Sequence, residues 1–425
     1  MESLGQELKK RNTEYVAGLD LTDTFSQISV GTVSEGEVET LTVSVDASTY
    51  LIPTALFKRS EVNQWFAGRD AYKYKDTEGF YIDKLVSKAM SSEEVTVGNL
   101  SFRPSALLAL FMKRTLTLIN TVTPLNNLSA LVITTKTLNN NLVTALSEAV
   151  ETLGIPQKNV FFQSHRESFY SYMINQPEDL WKHDVFLLDA SEEYVNSMCM
   201  ECNKNTTPIV AFIDSQENLK LPVSGLFGSD NSNTFTGFAD ELVDGHIISS
   251  IFLIGDAFKG EALKEGVNHL CHKGRVFQGN NLFTKGACYS ARNRVNPTET
   301  SKKYVFLGNE KLKANVGINL LKRGEKTYLP LLDGGVNWFD AVKECDFYLT
   351  AGNRISFVIT PLTGKNPEVV DITLSDLPKR PPKTTRLNVK VKMLSETRML
   401  VTIKDMGFGE LYPSSNIEWN EEISV

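Results

Sequence analysis

No run of apolar residues in this chain approaches the roughly 20 that a membrane-spanning helix needs. The longest, such as SALLALFM from Ser105 to Met112, are far too short, so no membrane span is expected. The N-terminus, MESLGQELKKRNTEYV, is charged and lacks an apolar signal core, and a cytoplasmic location is expected. Basic residues are in deficit: 44 Lys and Arg stand against 51 Asp and Glu, a net charge of -7, which argues against nucleic acid as a partner. Cysteine is scarce too. Five thiols at irregular spacing in a large chain fit no disulfide framework, and reduced cysteines are expected. Cys199 and Cys202 form a C-x-x-C, yet they lie on an expected strand, where residues three apart face opposite sides, so a shared zinc or disulfide is not expected. His269, Cys271 and His272 near a helix end have no second cluster to complete a metal site.

What the chain does have is ample apolar content over 425 residues, enough for two or three domains. Two apolar strands, YVAGLD (Tyr15 to Asp20) and VFLLDA (Val185 to Ala190), each deliver an aspartate to a tight turn before another strand. After the first come strands at 25–30 and 38–45, a mixed region, a helix at 106–120, a strand at 131–136, a helix ending at Gly154, a strand at 159–164 and a helix at 166–174. After the second come strands at 194–202 and 208–213, a helix at 236–245, a strand at 248–256, a helix closed by Gly274 and a helix at 281–294. Three strands followed by helix, strand and helix thus occur twice, which indicates an α/β fold with parallel or mixed sheets. Beyond residue 297 the pattern changes to short strands between Gly, Pro, Asn and Asp, from YVFLGN onward, as in an all-β sandwich. Within it the basic, proline-rich run KRPPKTTR (Lys379 to Arg386) reads as a solvated loop, or as a site for an anionic partner.

The order of these segments resembles the heat-shock-70 chaperones, within the actin, hexokinase and heat-shock-70 ATPase superfamily. GLDLTDTFSQISV is similar to that family's first phosphate loop, and FLLDASEEYVNSM stands where the second would be. The stretch from LVITTK to the RESFYSY helix, the strand IFLIGDAFKGEALKE followed by NNLFTKGACYSA, and the tail from SFVITPL to IKDMGFGE follow the family's order as well. The resemblance implies a two-lobed actin-like ATPase fold with duplicated ribonuclease-H-like halves and a reduced subdomain insertion, followed by a β-sandwich. Its lobes would be 1–183 and 184–297, the latter with an adenosine-like motif, and the sandwich 298–425, without a helical lid.

By the same resemblance, Asp20 and Asp189 would hold magnesium through water, and Thr22, Thr24, Ser191, Gly255 and Asp256 would face ATP or ADP. Lys84 and Glu167 would assist water attack. The loops nevertheless lack the family's glycines, which permit close backbone approach and left-handed conformations that other residues reach only at about 1–2 kcal/mol each. Asp23, Glu192 and Glu193 stand there instead, and a carboxylate about 5 Å from a phosphate costs on the order of 3 kcal/mol at an effective dielectric near 20. The expected function is a catalytically degenerate scaffold that binds a protein partner or an extended peptide, with residual nucleotide or magnesium binding. An active magnesium-dependent ATPase is the alternative, and an actin-like filament or division scaffold a second.

Overall fold

The apolar strand that opens the described chain, β1 (Tyr15–Leu21), is buried along almost its whole length, as a strand must be when both of its faces are covered. The computed structural model describes residues 13–34, 36–43, 49–60, 62–216, 219–227, 231–362 and 366–425 of this mixed α/β chain. The charged segment before Thr13 and the last residues of the strand expected at 38–45 lie outside them. Two compact units are present, Met1–Phe306 and Leu307–Val425.

In the first unit β1 pairs antiparallel with β2 (Phe25–Thr32) and parallel with β3 (Leu128–Thr135), which pairs parallel with β4 (Val160–Ser164). The same arrangement returns in a second sheet. There β5 (Asp184–Asp189) pairs antiparallel with β6 (Tyr194–Asn203) and parallel with β8 (Ile248–Ile254), while β7 (Ile209–Ser215) extends the sheet beyond β6. A short strand, β9 (Arg275–Gln278), lies parallel to β8, and β10 (Tyr304–Phe306) lies parallel to β7. The mixed region between β2 and β3 forms a three-stranded sheet of Trp65–Ala67, Leu56–Arg59 and Gly79–Ile82, with helix α1 (Pro104–Thr115) after it.

Helix α2 (Asn140–Glu151) buries Leu142, Ala145, Leu146, Ala149 and Val150, a single stripe at helical spacing, and the Asn139 side chain caps its first turn through the Leu142 N–H at 2.8 Å. Helix α3 (His165–Met173) follows β4, yet Phe169, Tyr170 and Met173 pack among Val185, Leu187, Met198 and Met200 of the second sheet. Helices α4 (Asn231–Val243) and α5 (Lys264–Cys271) cover the other face of that sheet, with Phe235, Phe238 and Leu270 in one cluster with Phe186 and Cys199. Helix α6 (Leu282–Val295) makes the reverse crossing to α3: Ala287, Cys288 and Ala291 pack on Val16, Ala130 and Val132 of the first sheet.

Two glycines permit this. A Cβ at Gly286 would sit 1.9 Å from the Ser168 carbonyl oxygen of α3, and one at Gly18 would sit 2.4 Å from the Thr284 carbonyl oxygen of α6. Burial pushes the Cys288 thiol up to about 12, so it stays protonated, its sulfur 3.6 Å from the Val16 carbonyl oxygen.

Several sequence expectations need correction. Gly274 does not close a helix in a left-handed conformation; α5 ends at Cys271, and Gly274 is needed because a Cβ there would meet the Ile248 side chain at 2.9 Å. Among the described residues of the strand expected at 38–45, Glu39–Thr40 forms the strand that pairs with β2, and the Leu41 N–H extends the contact to the Ile28 carbonyl at 2.8 Å. The segment YVFLGN, assigned to an all-β region starting at 298, instead contributes β10 to the second sheet, and the first unit extends to Phe306. The short β9 gave no recognisable alternation over four residues.

The second unit consists of two four-stranded antiparallel sheets. One is built from β11 (Ala314–Lys322), β12 (Glu325–Leu332), β14 (Arg354–Pro361) and β15 (Glu368–Thr373); the other from β13 (Val342–Leu349), β16 (Thr385–Met393), β17 (Arg398–Gly407) and β18 (Glu418–Ser424). Strict alternation of buried and exposed residues along β16 and β17 places Leu387, Val389, Val391, Val401 and Ile403 on one buried face. The basic loop before β16 is not simply solvated. Its Arg380 guanidinium makes two 2.7 Å hydrogen bonds to the Asp405 carboxylate, whose side chain is fully buried, and a third to the Pro413 carbonyl at 2.8 Å. Burial alone would raise the Asp405 carboxyl, but hydrogen bonds from Arg380, Ser415 and the Gly407 N–H outweigh it and hold it well below the usual carboxylate range.

Two predictions arise here. Gly286→Ala lowers stability by about 3 kcal/mol in denaturant melts through overpacking, whereas Gly237→Ala, at an exposed helical site with open space around it, raises it by roughly 0.5–1 kcal/mol. Because the folded Asp405 carboxyl is depressed, its stabilisation is complete above its unfolded pKa of about 4 and drains away as pH falls toward the folded value. Amide exchange in β17 of the full chain, corrected for intrinsic rates, should therefore accelerate on acidification below about pH 4; Arg380→Ala should bring the acceleration to neutral pH, by about 3–5 kcal/mol of lost protection.

Candidate functional site

The carboxyl ends of β1 and β5 each deliver an aspartate to one cavity of about 280 Å³, lined by Asp20, Thr22, Thr24, Asp189, Ser191, Gly255 and Asp256 among others. Residues expected from both strand-Asp turns and from the adenosine-like strand thus converge, at the strand ends where α/β sheets open a crevice. Gly255 has φ 109°, and a Cβ there would meet the Ala190 backbone at 3.0 Å, so the end of β8 runs close against the turn after β5.

The polar groups of this cavity are largely committed to one another. Asp20 is 8% exposed, and its Oδ1 lies 2.7 Å from His165 Nε2; with the proton on that nitrogen, the imidazole donates to the carboxylate. The His165 ring is fixed in turn by stacking on Phe283 of α6, centroids 3.9 Å apart. Asp189 Oδ1 accepts the Ser191 N–H at 3.0 Å, which closes the turn. Lys136, at the end of β3, pairs with Glu192 across the two halves. The Gly255 N–H donates to Asn280 Oδ1 at 3.1 Å, and the Asn280 amide donates to Asp256 Oδ1 at 2.9 Å. Hydrogen bonds from Lys259 and then Asn280 hold the Asp256 carboxyl below its ordinary value. Thr22 Oγ1 donates to the Phe25 carbonyl at 2.7 Å, within its own turn.

Two expected residues lie outside the cavity. Lys84 is exposed at the start of the helix Leu85–Ser91, in a left-handed backbone conformation with φ 51°. Glu167 is buried at the third position of α3, where its N–H meets the Ser164 hydroxyl at 3.4 Å in capping-box placement; its Oε1 is 3.8 Å from Arg294 Nη2. Asp23, expected to crowd a phosphate, turns away: its Oδ1 accepts the N–H groups of Val86 and Ser87 at 2.9 and 3.0 Å, capping the helix that Lys84 precedes.

His165, Lys136 and Asn280 escaped sequence reading, because each is a lone polar residue next to an apolar strand or helix. The Ser-x-x-Glu spacing of Ser164 and Glu167 was the available signal that this segment starts a helix with Ser164 as its cap. The two sides of the C-x-x-C do separate as strand geometry predicts: Cys199 joins the cluster under α4 and Cys202 packs against the opposite one. His269 Nε2 pairs with Asp240 Oδ1 at 2.9 Å, and Cys271 is exposed.

A nucleotide with magnesium fits this donor set poorly. The Lys136 ammonium and the Gly255 N–H, which a phosphate would need, already have partners. Among the described lining residues, the buried polar atom left without a hydrogen-bond partner is an acceptor, Gln27 Oε1, which suits water or a cation and not a phosphate oxygen.

The chain belongs to a family of unknown function, DUF5716, whose C-terminal model matches residues 37–309. A domain of unknown function, DUF8552, matches residues 311–425. The two matches adjoin close to the division between the compact units at Phe306 and Leu307. No curated protein matches the chain.

The buried Asp20–His165 contact should be worth more than a surface pair. In a double-mutant cycle of Asp20→Asn and His165→Gln followed by denaturant melts, each single change is expected to destabilise by about 1–3 kcal/mol, with a coupling of roughly 1 kcal/mol or more.

Proposed function

We propose that this protein is a heat-shock-70-like scaffold whose actin-like, two-lobed first unit keeps the superfamily's architecture without its ATP chemistry, and whose second unit, a β-sandwich, binds an extended peptide or protein partner. The recurrence of one strand order in two sheets supports a duplicated, ribonuclease-H-like origin for the halves. The observation that carries the loss of chemistry is the self-neutralised cleft: His165 occupies Asp20, and Glu192 occupies Lys136. Three carboxylates, Asp20, Asp189 and Asp256, remain along the lining. Asp189, whose partner is a backbone N–H and not a cation, would repel a phosphate by on the order of 3 kcal/mol at about 5 Å.

The partner-binding half of the proposal rests on the second unit. A groove of about 730 Å³ is lined by Ile318 to Leu321, Lys326 to Tyr328, Asp346 to Thr350 and Arg354 to Ser356, with Leu387 at its floor. Leu321, Tyr328 and Tyr348 are exposed around it, an apolar surface edged by charge, as extended peptides prefer. Residual cation binding at Asp20, Asp189 and the Gln27 oxygen is compatible with this reading; phosphoryl transfer is not.

Separate calorimetric titrations of ATP, ADP and magnesium into the full chain should give no saturable nucleotide heat at millimolar concentration and no phosphate release above background. Magnesium-dependent turnover that Asp20→Ala abolishes would establish the working ATPase instead, and sedimentation that depends on nucleotide would establish a filament.

A further inference from the structure

Away from the cleft, three side chains of unlike chemistry meet at the opposite end of the second sheet. Asp184 is the first residue of β5, Cys199 lies in the middle of β6, and His246 occupies the turn between α4 and β8. Strand register explains the meeting. Phe186 is the direct antiparallel partner of Cys199, so the two share a face, and Asp184, two residues from Phe186, shares it as well. Helix α4 covers that face, and its end hands His246 to the rim through the His246 N–H to Val243 carbonyl bond at 3.2 Å. The imidazole stands edge-on to Phe186 at 5.1 Å and its Nδ1 lies 2.8 Å from Asp184 Oδ2. The Asp184 carboxylate, the Cys199 sulfur and an imidazole nitrogen of His246 all lie within 4.8 Å of one another.

We infer that Asp184, Cys199 and His246 form a zinc site with a fourth position open to solvent. Ligand bonds of about 2.0–2.3 Å in a tetrahedron place donor atoms roughly 3.3–3.8 Å apart, so the Asp184–His246 pair, now at 2.8 Å, must open by about 0.5 Å to admit an ion, with the Cys199 sulfur already within 4.8 Å of both. The parts that must move are free to do so: Asp184 and His246 side chains are 28% and 24% exposed, whereas Cys199 is fully buried and fixes the sulfur. A thiolate, an imidazole and a carboxylate select zinc over magnesium or calcium, which take oxygen ligands throughout. Glu201 follows Cys199 by two residues on the same face and adds negative charge beside the site. Binding converts the Cys199 thiol to a thiolate and releases its proton to solvent. The ion would tie together the start of β5, β6 and the turn after α4, three elements distant in sequence.

The test is titration of the chelator-stripped full chain with zinc chloride in calorimetry and with cobalt(II) in absorption spectroscopy. About one equivalent should bind at ~10 µM or tighter, with a heat that varies with buffer ionisation as a proton is released. Cobalt should give a thiolate charge-transfer band that Cys199→Ser removes. His246→Gln, at the rim, should keep the native circular dichroism and weaken zinc by about a hundredfold; Cys271→Ser, at an exposed cysteine elsewhere, should leave it unchanged. Absence of saturable zinc binding, or binding that survives both Cys199→Ser and His246→Gln, would overturn the site. Should Cys199→Ser fail to fold, the cobalt band of the wild type and the His246→Gln affinity decide the matter.

Discussion

The first unit depends on the near-contact of two helices that have each crossed to the other half's sheet. Helix α3 leaves the first sheet and packs on the second; α6 leaves the second and packs on the first; they meet where Gly286 lies against the Ser168 carbonyl. Because each helix completes the apolar core of a sheet it did not follow in sequence, neither half can bury its own face alone. The exchange is fastened by polar contacts too: Thr284 Oγ1 reaches the Gly18 and Gln27 carbonyls at 3.2 and 3.3 Å, and Arg292 donates to the Thr32 and Gly36 carbonyls at 2.8 and 3.0 Å. Such contacts need the backbones within side-chain reach, which is why glycine stands at both Gly18 and Gly286.

The cleft follows from that exchange. Bringing the two sheets together by crossed helices sets the carboxyl ends of β1 and β5 opposite one another, and with them two buried aspartates. Buried charge demands a partner. In this chain the partners come from the protein itself: the first residue of α3, 145 positions away, serves Asp20, and the Ser191 N–H serves Asp189. The same helix exchange places Phe283 under the His165 ring, so the group that neutralises Asp20 is held by the element that joins the halves.

Much of the architecture could be read from the sequence because it is written in long apolar segments. The strands at Tyr15, Leu128, Val185 and Ile248, the stripe of α2 and the alternation in β16 and β17 all follow from burial on one or two faces, a property of neighbouring residues. The seven residues drawn from the turns converge for the same reason, since strand ends carry them. What was not legible depends on single contacts between distant segments. Nothing near Asp23 in sequence indicates that it caps a helix 63 positions away, and nothing near Arg380 indicates that its charge is consumed by Asp405. Charged residues in turns look alike whether they face water, a ligand or another part of the chain.

This distinction bears on whether the turns after β1 and β5 could take a phosphate. A glycine in a phosphate loop leaves backbone N–H groups bare, ready for an anion; a residue with a side chain narrows the approach and invites internal partners. Once Glu192 pairs with Lys136 and Asn280 takes the Gly255 N–H, a nucleotide would have to displace hydrogen bonds already made, each worth on the order of 1 kcal/mol net and more where a charge is left behind. The Lys136–Glu192 pair spans the halves, from β3 to the turn after β5, and the Asp20–His165 contact joins β1 to α3, which packs on the second sheet. Separating the two sheets would break these bonds, so they oppose opening of the cavity between the strand ends.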